Sequence, residues 1–359
     1  MGIINRIDTM YYAISGPVKK ALRTISLRRT YWKKRPANAL RLTSEQKKAI
    51  RDFYAPYKKV STVFHEYYYK RTGVFHIENL PDDLYINYID KYYNNAKKAV
   101  VFENKSYFKK LFSDAKQPHM ICCRINGFWY GSEYEMLGRD MPSDLLCHER
   151  EIVIKQAAGS SGGHAVYFVD GKEGLISEKA KECVERIKND IIIQSVLVQH
   201  EAYSRLNKSS LNSLRLVSLL RKDGTAKIYS IILRMGAGNM RVDNESSGGI
   251  NCGVCEDGQM RSIGYTKGGK TYTVHPDSGI EFASVKLPYI DAVIAKVKEL
   301  HQKMPDCRLV SWDFTVDPDG EPVLIEANLN HGGLHINQIN NGPLFGNDTK
   351  EILDEVFGV

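Results

Sequence analysis

Two acids and an amide near the end of the chain are spaced to do chemistry. The segment SWDFTVDPDGEPVLIEANLN, from Ser311 to Asn330, alternates polar and apolar residues on both sides of a turn at Asp317, Pro318, Asp319 and Gly320. A hairpin register that pairs Val316 with Val323 sets Asp313 opposite Glu326 and brings Asn328 to the same patch. Carboxylates held this close repel and take up a proton unless a hard divalent cation sits between them. Mg²⁺ held by a few protein oxygens and by substrate phosphates meets that need. In an isolated hairpin the same acids are more often an ordinary solvated sheet face.

Features upstream tip that balance. In EIVIKQAAGSSGGHAVYFV a strand ends at Lys155 and runs into Gly159, Ser160, Ser161, Gly162 and Gly163. Small residues let backbone amides close on phosphate oxygens, and the lysine adds a point charge. The loop lacks the Gly-Lys-Ser/Thr ending of the strand-to-helix phosphate loop. The apolar run from Ile191 to Val198 enters Gln199, His200 and Glu201, a change from buried to polar that suits a hinge beside an adenine. Arg215 and Arg234 each stand inside an apolar strand, where a phosphate would partner both. Asp243, Asn244, Gly248 and Gly249 follow in a polar loop.

The elements that must carry these residues fall into two textures. Helical spacing of apolar residues predicts helices over 43–70, 82–97 and 106–115, the first opening at Thr43, Ser44 and Glu45. Beyond Gln117 strands predominate: 120–125, a return strand after the turn Asn126-Gly127, then 151–156, 165–169, 191–198, 214–220, 227–233 and the 311–330 hairpin. Helices are expected at 178–190, 283–303 and 350–356. The expected divisions are a basic helical extension (1–60), a mainly helical region (61–117), a lid subdomain with the glycine loop (118–198) and a C-terminal subdomain with the metal site (199–359).

Composition excludes several classes. With 43% hydrophobic and 26% charged residues the chain is an ordinary globular protein, and no apolar run nears the ~20 residues of a membrane span. No secretory signal is visible, and the seven cysteines read as reduced cytosolic thiols, including the pair Cys252 and Cys255. The net charge of +8 is local: residues 1–60 hold 15 Lys or Arg against three acids, which is +12, so the other 299 residues carry −4. Such a block suits an anionic membrane surface or a solvated helix. No nucleic acid is expected, because no recognised binding motif accompanies the charge.

Taken in order, these pieces resemble the ATP-grasp superfamily: a lysine ahead of a Gly-rich lid, an apolar strand leading to an adenine hinge, strand arginines, then an acid followed by Glu-x-Asn. Phrases such as FHEYYYKRTG, LNSLRLVSLL, LRMGAGNMRVDN, SSGGI and NNGPLFG are similar to the sugar-transfer-associated ATP-grasp group of bacterial surface-polysaccharide clusters. The resemblance implies an α+β fold in which two subdomains clasp ATP, preceded by a mainly helical N-terminal region. It implies that Lys155 binds the α- and β-phosphates and that Lys105, in ENKSYF, is a second phosphate lysine, with Asn104 where the family has Asp. Gly159, Ser160, Ser161, Gly162 and Gly163 would form the lid, Gln199 and Glu201 would hold adenine or ribose, and Arg234, helped by Arg215, would steady the γ-phosphate. Asp313, Glu326 and Asn328 would hold one or two Mg²⁺ ions, with Mn²⁺ as a substitute.

The implied reaction is ATP-dependent ligation that forms a C–N bond. A carboxylate attacks the γ-phosphate to give an acylphosphate and ADP, and an amine then displaces phosphate. Asn244, His331 and His335 are candidates on the substrate side, the histidines as proton acceptors from the amine. The substrates would be small-molecule or glycan carboxylates and amines, such as an amino acid or peptide and a sugar acid. The expected location is the cytoplasm or the inner face of the membrane. The rival readings are a small-molecule or sugar kinase on the same fold and a non-catalytic, membrane-associated ATP-binding scaffold.

Overall fold

The computed structural model describes residues 16–159, 166–171, 176–243, 248–330 and 332–359. It divides into two compact units, one of Asn94–Gly332 and one that joins Met1–Tyr93 to Gly333–Val359. The last helices of the chain thus group with the first ones, not with the sheet they follow in sequence.

The larger unit is built on two antiparallel sheets. Six strands make the first: β1 (Met120–Ile125), β2 (Phe128–Gly131), β3 (Met136–Gly138), β4 (Glu151–Gln156), β5 (Val166–Asp170) and β6 (Ile191–Ser195). Their order is β3-β2-β1-β6-β4-β5. The β1–β2 turn has Asn126 at φ 51° and Gly127 at φ 81°, the two left-handed residues that a two-residue hairpin of matching twist requires. The helix Ile176–Arg186 turns Ile176, Ala180 and Val184 inward at helical spacing, where they join the core of this sheet.

Seven strands make the second sheet: β7 (Ser213–Leu220), β8 (Ala226–Met235), β9 (Ile250–Val254), β10 (Met260–Thr266), β11 (Thr271–Tyr272), β12 (Leu309–Val316) and β13 (Pro322–Asn328). Their order is β11-β10-β9-β8-β7-β12-β13. One face is the main core, with Leu214, Leu216, Ile231, Leu233, Trp312, Phe314, Leu324 and Ala327 in one cluster with Val293, Val297 and Leu300 of the helix Ile290–His301. Each such side chain contributes on the order of 1.5–3 kcal/mol by leaving water.

The β12–β13 hairpin corrects the expected register at its turn end. Val316 pairs with Pro322, Thr315 with Val323 and Phe314 with Leu324, one residue off the expected alignment. A bulge then leaves Ile325 extra and restores Asp313 opposite Glu326. The bulge follows from packing: Leu324, not Val323, joins Phe314 in the core, and the strand must recover its phase before Glu326. The turn is held by the Asp317 carboxylate, which accepts from Asp319 N (3.0 Å) and Glu321 N (2.9 Å), while Gly320 sits at φ 89°.

The smaller unit is helical. Its first elements are α1 (Gly16–Lys34), α2 (Ser44–Tyr54) and α3 (Val63–Thr72). The single helix expected over 43–70 is two, because Pro56 cannot continue the ladder. Thr43 caps α2 as expected, with a reciprocal capping box to Gln46. The helix expected from 82 includes a π-helical stretch, Tyr85–Ile89, and its last part, Asp90–Tyr93, ends before Asn94. The helices Leu334–Asn341 and Thr349–Phe357 complete the unit. No described helix is long and apolar enough to cross a membrane.

Candidate active site

Directly opposed residues of neighbouring strands share a face of the sheet. Arg215 on β7 lies opposite Asp313 on β12, which lies opposite Glu326 on β13. A cation and two acids therefore form one row across three strands, on the face away from the helix Ile290–His301. Arg234 joins them from β8, where it opposes Ser213.

Each acid in this row has a cation. The Arg215 guanidinium donates twice to Asp313, from Nε to Oδ1 at 2.8 Å and from Nη2 to Oδ2 at 2.7 Å, and Arg234 Nη1 adds a third contact to Oδ2 at 3.0 Å. Burial would raise the Asp313 carboxyl, but the two guanidinium groups hold it below the usual carboxylate range. Arg234 also faces Asp243 at 3.4 Å, and Asp243 accepts from the Ser213 hydroxyl and amide. Burial dominates there, and Asp243 is raised. Arg234 thus bridges a fully charged acid and one whose charge is less secure.

Glu326 is paired differently. Lys105 Nζ donates to its Oε1 at 2.7 Å and leaves the second carboxylate oxygen for another partner. Asn104 caps the short turn Lys105–Tyr107 by accepting from Ser106 N at 3.0 Å, and Lys105 N donates to Ala157 O at 2.9 Å. Asn104 therefore does at this position what an aspartate would do as a cap. Just before it, Glu103 accepts from Leu329 N, Asn330 N and Asn330 Nδ2, tying this segment to the end of β13.

Lys155 stands on β4 between Ile192 of β6 and Val166 of β5. Its ammonium donates to Gln194 Oε1 at 3.3 Å, and Gln194 Nε2 reaches Pro118 O at 3.4 Å. Burial, and after it the charge of Lys105, push Lys155 down to about 8. A lysine weakened in this way gains most from an arriving anion. Lys155 also lines a cavity of about 330 Å³ with Val153, Phe168, the stretch 195–199 and the loop 208–211. Its wall is mixed apolar and polar, as small-molecule pockets are.

The remaining expected residues are placed as follows. Gln199 lines the cavity, but its side chain binds Ser210 O and Asn212 N, so it fastens the loop beneath and offers only its backbone and edge. The strand ahead of it ends at Ser195, short of Val198. Glu201 opens the short helix Glu201–Ser204, is exposed, and does not line the cavity. Gly159, the last described residue before the expected lid, sits at φ 71°, a conformation that other residues adopt only with strain. Ser160, Ser161, Gly162, Gly163, Asn244 and His331 lie outside the described residues. His335 opens the helix Leu334–Asn341 in the helical unit, near Asp82. Cys252 is buried and its thiol is pushed up to about 12, while Cys255 is exposed, and all seven cysteines are free.

Asp313, Glu326 and Asn328 form a hard oxygen donor set at adjacent positions of paired strands, which suits Mg²⁺. Among the described residues no three His, Cys, Asp or Glu side chains cluster as a metal site of their own.

Sequence reasoning missed two residues here. Arg241 lines the cavity, lies over the Phe168 ring at 4.2 Å and pairs with Glu151. Asn251 lies on β9 directly opposite Arg234, is 1% exposed, and among the described residues neither of its carboxamide atoms has a hydrogen-bond partner. Its neighbours Ile250 and Cys252 belong to the core, so Asn251 points to the opposite face, the one that carries the arginines. A strand reading of INCGV would have shown that alternation.

A family model described as "Sugar-transfer associated ATP-grasp" matches residues 84–353. No curated protein matches the sequence. Among solved structures the chain is similar to the VanG D-Ala:D-Ser ligase of Enterococcus faecalis, at 12% identity over 72% of this chain and 61% of that one, TM-score 0.44. It is similar to the D-alanine–D-alanine ligase of Bacillus anthracis at 16% identity, over 73% of this chain and 69% of that one, TM-score 0.41. It is also similar to the D-cycloserine synthetase DcsG at 16% identity, over 73% of each chain, TM-score 0.43. The chain therefore spans less than two thirds of the VanG ligase. The family match covers three quarters of this chain and is the finding that decides: the chain belongs to the sugar-transfer associated ATP-grasp family.

Proposed function

We propose that this protein is an ATP-dependent carboxylate–amine ligase that joins an amino acid or peptide to a sugar acid or similar group in bacterial surface-polysaccharide synthesis. The observation that carries the reading is the row Arg215, Asp313 and Glu326 with Lys105 and Arg234 around it. Its cations and oxygen ligands are paired with one another and can re-pair with a polyphosphate. In that role Lys105 and Lys155 hold the α- and β-phosphates, and Arg234 and Arg215 face the transferring phosphoryl group. Bound Mg²⁺, held by Asp313, Glu326 and Asn328, would supply charge neutralisation at the phosphates.

The substrate carboxylate oxygen bonds to the γ-phosphorus as the bond to the β-phosphate oxygen breaks, and that electron pair leaves with ADP. The amine nitrogen then bonds to the acyl carbon, the acyl–oxygen bond breaks, and inorganic phosphate departs with the amine losing a proton. Asn251 supplies the acceptor end: its buried carboxamide has no partner among the described residues, a state that costs about 1–3 kcal/mol and that a substrate amide, hydroxyl or carboxylate would relieve. The work is done at the inner face of a membrane, with the basic residues 1–60 as its contact.

Purified protein, Mg-ATP and pools of amino acids and uronic acids test the reading, with ADP release and hydroxylamine trapping as readouts. The expected result is ADP formation that needs a carboxylate, a hydroxamate of that carboxylate, and loss of both in Glu326→Gln. A stable phosphorylated sugar with no hydroxamate would replace the ligase with a kinase. ATP binding without substrate-dependent ADP release would leave a scaffold.

A further inference from the structure

The helix α1 has two unlike faces. Its inner face is fixed: Tyr31 packs edge-on against Phe64 (4.8 Å) and Tyr67 (4.7 Å) and its phenol donates to Asp82. Arg28 Nε donates to Asp83 at 2.7 Å, Thr24 Oγ1 accepts from Asn87 Nδ2 at 3.1 Å, and the Lys20 ammonium sits 3.3 Å from the centre of the Tyr88 ring. These contacts set the rotation of the helix about its axis. They leave Val18 (48% exposed), Leu22 (48%), Ile25 (63%) and Trp32 (60%) on the outside. With Arg29, these residues are spaced by four, three, four and three positions, so they form one stripe along the helix.

Charge accompanies the stripe. The helix holds seven Lys or Arg and no acid, and Arg29, Lys33 and Lys34 are exposed. What covers this face must take up four apolar side chains and answer a positive surface. A second copy would bring the same seven cations against these, and a nucleic acid would meet the charge but leave the apolar stripe in water. An anionic bilayer does both, with lipid phosphates around the Lys and Arg groups and the acyl boundary beneath the stripe.

We propose that α1 is an in-plane anchor that lays the stripe Val18, Leu22, Ile25 and Trp32 on an anionic lipid surface. The inference rests on the membrane part of the reading above and on none of its chemistry. It narrows a basic segment of 60 residues to one face of one helix, and it assigns apolar insertion as well as charge.

The chain carries its own probe. Of its three tryptophans, Trp129 and Trp312 are buried, so a change in emission on contact reports Trp32. The full-length protein is mixed with vesicles of phosphatidylcholine alone or with ~30% phosphatidylglycerol, the anionic surface that attracts basic segments. Flotation and tryptophan emission are read in low and high salt. The expected result is flotation and a blue shift with the anionic vesicles only, weakened at least about tenfold by Leu22→Gln/Ile25→Gln and, separately, by Arg29→Glu/Lys33→Glu. All four substitutions are on the exposed face, and the salt series uses the unaltered chain. Four results would overturn the proposal. They are no vesicle binding, binding that only the charge reversals weaken, a dimer that Leu22→Gln/Ile25→Gln dissolves, and binding to native membranes that protease treatment abolishes. ATP turnover is read on the same samples. Lost turnover with intact vesicle binding counts against the ligase reading alone, and lost vesicle binding with intact turnover counts against this inference alone.

Discussion

Two buried aspartates, one in each unit, differ in what surrounds them. Asp313 is met by two guanidinium groups, which hold it below the normal carboxylate range against the pull of burial. Asp82 is met by two phenols, Tyr31 and Tyr68, the second at 2.6 Å, and burial raises it despite them. Phenols satisfy a carboxylate's lone pairs without repaying its lost hydration, whereas cations repay it in kind. Burial alone therefore does not set the charge of a carboxyl. The charge of its partners does.

Removing each acid should separate the two cases most widely. Asp313→Ala leaves two arginines facing each other in a buried site and should destabilise the protein by about 3–5 kcal/mol, while Asp82→Asn leaves neutral phenols short of an acceptor and should cost about 1–3 kcal/mol. Chemical denaturation without added magnesium, repeated from pH 7 down to about pH 2, tests the contrast more sharply. A depressed acid stabilises above its unfolded value near 3.9 and loses that contribution only as pH falls through its lower folded value, so the gap between wild type and Asp313→Ala should hold down to about pH 4 and shrink below it. A raised acid stabilises fully at low pH and loses its contribution as pH rises through its folded value, so the gap for Asp82→Asn should grow toward pH 4. Gaps that move together would break the comparison.

A smaller effect concerns Lys155, a cation whose charge waits for its partner. Its ammonium is pushed down to about 8 in the free protein, so ATP binding above that pH must take up a proton, and affinity should fall roughly fivefold between pH 8 and pH 9. Lys155→Arg, which stays charged, should flatten the profile, as titration calorimetry in buffers of different ionisation enthalpy would show. Smaller again is Asn251→Leu. Replacing an unpartnered buried amide should change stability by less than about 1 kcal/mol, yet raise the KM of the acceptor substrate and leave that of ATP alone. A loss of stability of the kind expected for Asp82→Asn would place Asn251 with the structural residues. The least effect on activity belongs to Thr43→Ala, which removes the cap of α2 for about 1 kcal/mol in the melting curve and should leave ATP turnover untouched.

Much of the site was legible because it lies on alternating strands. The opposition of Asp313 to Glu326 follows from pattern alone, although the bulge at Ile325 that produces it does not, since it depends on which of Val323 and Leu324 the core accepts. Lys155 and the arginines stood out as charges in apolar runs. Partners were not legible: that Arg215 binds Asp313 in two places, that Gln194 takes Lys155, or that Glu103 clasps the end of β13 are contacts between residues far apart in sequence. The outward face of α1 was hidden for the same reason, because only packing against Phe64 and Tyr67 fixes which side faces out. The break at Pro56 was legible from residue type, because a proline interrupts the ladder whatever the apolar period around it.

The central claim is that the row Arg215, Asp313 and Glu326, with Lys105 and Lys155, is the phosphate and metal end of a nucleotide site. Calorimetric titration of ATP into the full-length protein, with and without Mg²⁺, tests it most directly. The account predicts Mg²⁺-dependent binding that weakens on the order of tenfold or more in Glu326→Gln and in Lys155→Ala, each removing one charged contact. Binding of equal strength in wild type and both variants, or binding indifferent to Mg²⁺, would contradict it.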